Sequence, residues 1–158
     1  MAELDGMDVK ILAVLQGNAR ISNHDLAEQV GLSPSPCWRR VKRLEEEGII
    51  DRYAALLKPE AVGLHITAYA HVMLENHHSE TVTAFDAAIA TQENVLECCS
   101  TSGGYDYLLK VIAPSMAAYE RFLSTFLLVL PCVRSVSTSF VLKQKKSTTM
   151  LPLSSALG

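Results

Sequence analysis

Residues 33–48, SPSPCWRRVKRLEEEG, concentrate cations next to small hydroxyls: Arg39, Lys42 and Arg43, with Ser33 and Ser35 just before them. Such groups suit the phosphates and base edges of double-stranded DNA, which accept from guanidinium, ammonium and hydroxyl donors. Helical spacing sorts the stretch into two faces. Cys37, Val41 and Leu44 share one narrow stripe, the expected buried side, while Ser35, Arg39, Lys42 and Glu46 lie nearly opposite, flanked by Arg43 and Trp38. Glu45, Glu46 and Glu47 are held at the far end. A helix that enters a major groove by its N-terminus needs this polarity, which runs against the usual dipole preference for acids first and bases last. Trp38 suits either packing or contact with the sugar-phosphate backbone. A lone basic run of this kind is more often a solvated amphipathic helix, so its surroundings must decide.

A second candidate is the loop Thr101, Ser102, Gly103, Gly104, Tyr105 and Asp106. Glycines let a ligand approach backbone N–H groups with no Cβ in the way. Asp106 could hold an α-ammonium group, and Thr101 or Ser102 could bond a carboxylate. On the residues alone, a glycine hairpin turn with one solvated aspartate is the plainer account. Other constellations read as structural. His77 and His78 are adjacent, so on an extended chain they point opposite ways, and no second ligand pair has suitable spacing. Cys98 and Cys99 fail by the same geometry, and Cys37 falls on the apolar stripe. No metal and no cofactor is expected. There is no nucleophile elbow, phosphate-binding loop or dinucleotide fingerprint.

The basic helix has a helix before it and another before that. Residues 4–17 carry apolar positions Leu4, Ile11, Leu12 and Leu15, with Asp5 as cap. Ser22 and Asp25 have capping-box spacing, Leu26, Ala27 and Val30 supply an inner face, and Gly31 ends that helix. Ser33 is a favoured N-cap for the third helix, Pro34 suits its first position, and Gly48 is a natural stop. Only Gly31 and Leu32 separate the second and third helices, which is the helix-turn-helix pattern. The second half alternates differently. Strands are expected over residues 65–74, 95–101, 105–112 and 133–142. Helices are expected over 79–90, with a serine cap, and from Ser115 to a stop at Pro131. The order βαββαβ is ferredoxin-like.

The 158 residues hold one medium domain or two small ones, and 49% apolar content supports a core. No long uncharged apolar run suggests a membrane span, and the N-terminus lacks a signal peptide, so a cytoplasmic protein is expected. Four cysteines without C-x-x-C spacing should be thiols there. The net charge of −3 means that any binding to DNA must come from concentrated positive charge, not from the overall balance.

Residues 4–53, LDGMDVKILAVLQGNARISNHDLAEQVGLSPSPCWRRVKRLEEEGIIDRY, resemble the DNA-binding domain of the Lrp/AsnC family of transcriptional regulators. The opening Leu4, Asp5 and Asp8, the Asn18-Ala19-Arg20 break, Leu26-Ala27, and the Ser33-Pro34-Ser35-Pro36 start of the basic helix match in order. Ser102-Gly-Gly-Tyr-Asp106, the segment from Leu130 to Val133, and residues 138–143 extend the likeness, with Cys132 standing where the family often has glycine. The resemblance implies an α+β chain: an N-terminal winged helix-turn-helix domain over 1–52, a linker strand over 53–63, and a C-terminal ferredoxin-like βαββαβ effector domain over 64–142. A tail follows over 143–158. It implies a regulator, not an enzyme, that assembles through its sheets as a homodimer and higher oligomer, up to an octamer. It also implies an amino-acid effector held by the Gly-x-x-Asp loop, with Thr138 and Ser139 as weaker additions, and control of amino-acid metabolism genes. Two alternatives stay open: a small enzyme of the same superfamily working on tetrapyrroles, for which His65 and His71 lie on one strand face, and an adaptor that binds only proteins.

Overall fold

The computed structural model describes residues 4–153. The chain forms two compact units, one of residues 1–55 with 146–158, the other of residues 56–145.

The first unit is built on three helices: α1 (Gly6–Gly17), α2 (Asn23–Val30) and α3 (Pro34–Glu46). Asp5 caps α1 through a full capping box with Asp8, and Gly31 closes α2 at φ 75°, a left-handed conformation that favours glycine. Ser22 caps α2 as its spacing predicts, accepting from the Asp25 N–H at 3.1 Å. The Asp25 carboxylate takes the Ser22 hydroxyl, at 2.7 Å, rather than a backbone N–H. Ser33 has the extended backbone of an N-cap, but its hydroxyl makes no capping bond. The reason is covalent. Pro36 stands at the third helical position, so the donor that a cap hydroxyl would normally meet does not exist. The core gathers Ile11, Leu12, Leu26, Ala27, Val30, Cys37 and Leu44, with Leu153 from the tail packed against it. The tail is fixed here by paired bonds: Leu151 N–H donates to Gln16 Oε1 at 2.6 Å, and Gln16 Nε2 donates to Leu151 O at 3.3 Å. The linker strand expected over 53–63 does not form within the chain: residues 51–58 are neither helix nor strand, and Pro59, which fixes its own φ and lacks an N–H, opens a 3-10 turn at Pro59–Val62.

The second unit is an antiparallel sheet of β1 (Ile66–Leu74), β2 (Val95–Ser100), β3 (Tyr107–Ala113) and β4 (Val133–Phe140), in the order β2-β3-β1-β4. The helices α4 (Ser79–Ala90) and α5 (Met116–Thr125) pack on one face. Strict alternation places Ala68, Ala70, Val72 and Leu74 of β1 in the core, beside Leu109 and Val111 of β3 and beneath Phe85 and Tyr119. Three expected boundaries move. The cap of α4 is His78, not Ser79; the Asn76 side chain closes this start by accepting from His78 N–H at 3.0 Å and from the Thr81 hydroxyl at 2.7 Å. The last helix stops at Thr125, short of Pro131, and gives way to a 3-10 turn at Leu127–Val129. The Ser124 and Thr125 hydroxyls both donate back to Arg121 O, an alternative to regular helix bonding, and the turn seats Leu127 fully in the core. Tyr105 and Asp106 belong to the loop before β3.

Leu44 is wholly buried on the inner stripe of α3. Leu44→Ala is expected to destabilise the first unit by about 2–5 kcal/mol, seen as an earlier unfolding transition in a thermal melt.

Candidate nucleic-acid interface and effector loop

The third helix, α3, is oriented from behind. Cys37 and Leu44 are fully buried and Val41 is half-buried, so the stripe read from spacing is the inward face. Ser33, Ser35, Arg39 and Lys42 are exposed, and Trp38 presents 53% of its surface. Gly31, Leu32 and Ser33 form the tight turn, and Asn23 Nδ2 donates to Pro34 O at 2.9 Å, which ties the start of α2 to the start of α3. The first turn of α3 has unusual chemistry. Proline removes two of its N–H groups and the Ser33 hydroxyl caps nothing, so the Ser33 and Ser35 hydroxyls are left for an outside partner.

The cations of α3 divide. Among the described residues Arg39 has no ion pair or hydrogen bond, and Lys42 makes one exposed pair with Glu45 at 3.4 Å. Arg43 instead turns toward α1, with Nη2 2.6 Å from Asp8 Oδ2, and its Nε and Nη2 are shielded from solvent. Arg40 joins it: Nη1 donates to Asp8 Oδ1 at 2.9 Å and to Asp5 Oδ2 at 2.7 Å. Asp8 is fully buried and also accepts from Asp5 N–H at 3.0 Å. The Asp8 N–H and the Arg40 guanidinium hold the Asp5 carboxyl down at about 2. The residues missed from sequence here are Arg40 and Asp8. A signal existed, because Asp8 interrupts the apolar stripe of the first helix, and an acid placed among core positions demands a cationic partner.

In the second unit the loop is braced by its own aspartate. Asp106 Oδ2 accepts from Leu74 N–H at 2.7 Å, and Oδ1 lies 2.6 Å from His77 Nε2. His77 and the Leu74 N–H hold the Asp106 carboxyl below its ordinary value. The Thr101 hydroxyl donates to Tyr105 O at 2.8 Å, Thr101 N–H donates to Asp106 O, and Asp106 N–H donates to Val72 O, which close the turn. Gly103 stands at φ 134°, where a side chain is strained, and no atom lies within 4 Å of where a Cβ would be on Gly103 or Gly104. Ser102 and both glycines are exposed, so their backbone faces open space. Tyr105 folds onto the uncovered face of the sheet, its ring 5.0 Å from that of His71.

Thr138 and Ser139 are not brought to this loop. They alternate across β4: Thr138 faces the helices and shares a 2.6 Å bond with the Tyr119 hydroxyl, while Ser139 pairs opposite Tyr69. Val133 is the residue opposite Leu74, where Asp106 is anchored. His77, by contrast, was legible in sequence only as half of an improbable metal pair, and its contact with Asp106 had no local signature. Among the described residues no group of three or more His, Cys, Asp or Glu could hold a metal ion, and no helix is long and apolar enough to cross a membrane.

Residues 4–51 match the winged helix-turn-helix DNA-binding family, and residues 67–151 match the Lrp/AsnC ligand binding domain. The chain is 44% identical to the leucine-responsive regulatory protein of Haemophilus influenzae, over 95% of this chain and 90% of that one. It is 39% identical to the DNA-binding transcriptional activator DecR of Escherichia coli, over 95% and 99%. Among solved structures, a transcriptional regulator of Neisseria meningitidis in complex with L-methionine superposes with a TM-score of 0.95 at 43% identity, covering 98% of this chain and all of that one. With both halves of the chain matched in order, and its two units folded as a winged helix-turn-helix and a ferredoxin-like sheet, the protein belongs to the Lrp/AsnC family of DNA-binding transcriptional regulators.

Proposed function

We propose that α3 reads DNA through Ser33, Ser35, Trp38, Arg39 and Lys42, while Arg43, which the sequence also offers, is turned toward Asp8 and makes no contact with DNA. The observation that carries this reading is the free cationic face: Arg39 unpaired and Lys42 loosely paired, directly opposite the buried Cys37 and Leu44. The Ser33 and Ser35 hydroxyls, spared from capping by the prolines, donate to phosphate at the leading end of the helix. One helix touches too few base pairs for useful specificity, so two subunits read half-sites about one helical turn apart.

The effector is an amino acid or a close relative, and it binds at Thr101, Ser102, Gly103, Gly104, Tyr105 and Asp106. The backbone N–H groups of the open glycine turn receive its carboxylate. Its ammonium group takes the place beside Asp106 Oδ1 that His77 fills here; His77 is 74% exposed and free to swing away. In the Neisseria relative the bound amino acid is methionine. Subunits pair through the sheet face that the helices leave uncovered, where Tyr69, His71 and Ser137 lie. They also pair through the linker, where the Leu56 and Leu57 side chains are largely exposed. The dimer builds further, to an octamer. An effector that prefers one assembly shifts the affinity for DNA by linkage. The protein acts in the cytoplasm, on genes of amino-acid metabolism, and not as an enzyme.

Selection of bound genomic fragments, with and without a panel of amino acids, gives operator and effector together; failure to enrich any fragment overturns the reading. Arg39→Ala and Lys42→Ala should each weaken binding to the selected operator at least tenfold in gel-shift titration, with the oligomer unchanged by light scattering. Asp106→Ala should abolish the amino-acid-induced change in DNA affinity or oligomer size, and His77→Ala should leave that change in place. A full response from the Asp106 variant removes Asp106 from the site.

A further inference from the structure

Four cations fall within five positions of α3, yet only Arg39 and Lys42 face outward. Arg40 and Arg43 are three residues apart, one turn of the same flank, and both converge on one buried carboxylate. Asp8 Oδ1 takes Arg40 at 2.9 Å and Asp8 Oδ2 takes Arg43 at 2.6 Å, while Asp5 Oδ2 holds Arg40 a second time at 2.7 Å. Two carboxylates of α1 and its cap balance the two guanidinium groups, and Glu47 adds a looser contact to Arg43 Nε at 3.8 Å, so neither arginine is left uncompensated. Neutralising Asp8 alone needs one arginine. The second cation and the second acid are surplus to that need, and partly exposed pairs of this kind add little to stability. What they change is charge at the DNA-facing surface. Two loose arginines on a recognition helix would attract phosphate at any sequence, because the phosphate term carries no base information.

We infer that Asp8 and Asp5 form an electrostatic guard that withholds Arg40 and Arg43 from the DNA backbone, so that non-specific affinity is set by Arg39 and Lys42 and discrimination between operator and bulk DNA is preserved. The inference rests on the reading of α3 as the groove helix. Asp8 is a positioning residue: it touches no DNA and acts through the two arginines.

The test uses the full-length chain, the selected operator and a short random-sequence duplex, titrated between 50 and 200 mM salt. Asp8→Asn keeps the shape and removes the charge. Because Asp5 still holds Arg40, this variant frees Arg43 alone and should steepen the salt dependence on random duplex by about 0.9 in log–log slope; Asp5→Asn added to it frees Arg40 as well, for about 1.8 and about tenfold tighter binding at the low-salt end. Operator affinity should rise less, so the preference for operator falls. Adding Arg40→Gln and Arg43→Gln to Asp8→Asn should return the slope to that of the unaltered protein. Should Asp8→Asn fail to fold by circular dichroism, Asp5→Asn serves, because asparagine caps a helix as well as aspartate does and leaves Arg40 to share Asp8 with Arg43, one negative charge short. Its slope should steepen by about 0.9. An unchanged slope in the folded variants, or an equal loss on both duplexes, overturns the guard and leaves the cluster as an adhesive between α1 and α3. Arg39→Ala separates the two failures: if it weakens binding while the Asp8→Asn slope stays flat, only the guard falls, and if it has no effect the groove reading itself is lost.

Discussion

A carboxylate shut away from water must be met by positive charge, and in this chain that demand sets how α3 is rotated. Asp8 lies in the core of the first unit with none of its surface exposed. The two guanidinium groups that satisfy it both come from α3. The apolar stripe of Cys37, Val41 and Leu44 fixes how deeply that helix seats, but an apolar contact is non-directional and tolerates some roll. The two N–H···O bonds from Arg40 Nη1 to Asp8 and Asp5, with the Arg43 ion pair beside them, do not. Once Arg40 and Arg43 point at α1, geometry leaves Arg39 and Lys42 on the opposite side, beside the Ser35 hydroxyl. The identity of the outward face follows from an acid on a different helix.

The second unit works by a related economy. Its aspartate also spends both oxygens inside the chain, on the Leu74 N–H and on His77, but the second partner is an exposed ring on a loop rather than a packed arginine. One oxygen is therefore committed to the fold and the other is exchangeable. That division lets a single carboxylate brace a hairpin and still remain available to a ligand. The sheet shows the same asymmetry on a larger scale, with one face filled by α4 and α5 and the other carrying side chains such as Tyr69 and His71 that lie outside that core.

Local chemistry made most of this legible. The caps at Asp5, Ser22 and Ser115, the glycine at position 31 and the strict alternation of β1 are decided by neighbours within a few residues, and they fell where spacing put them. The inward stripe of α3 was equally plain. Other features escaped, for reasons that periodicity does not carry. The silent hydroxyl of Ser33 depends on a missing donor at Pro36. The early end of α5 depends on the Ser124 and Thr125 hydroxyls competing for Arg121 O and on the pull of Leu127 into the core. The pairing of His77 with Asp106 joins residues 29 apart, across a strand and a helix, so nothing near either residue announces it. Thr138 illustrates the converse, since the strand was correctly placed but the face on which its hydroxyl acts was decided by Tyr119.

The return of Leu151 and Leu153 to the three-helix unit makes that unit discontinuous, with the whole sheet domain inserted between its parts. A chain emerging from the ribosome presents the three helices early but can add their last packing residue only after every strand has been made. The three-helix unit is thus completed last, and a cut in the stretch between the two domains would sever only one of the two covalent connections that join them.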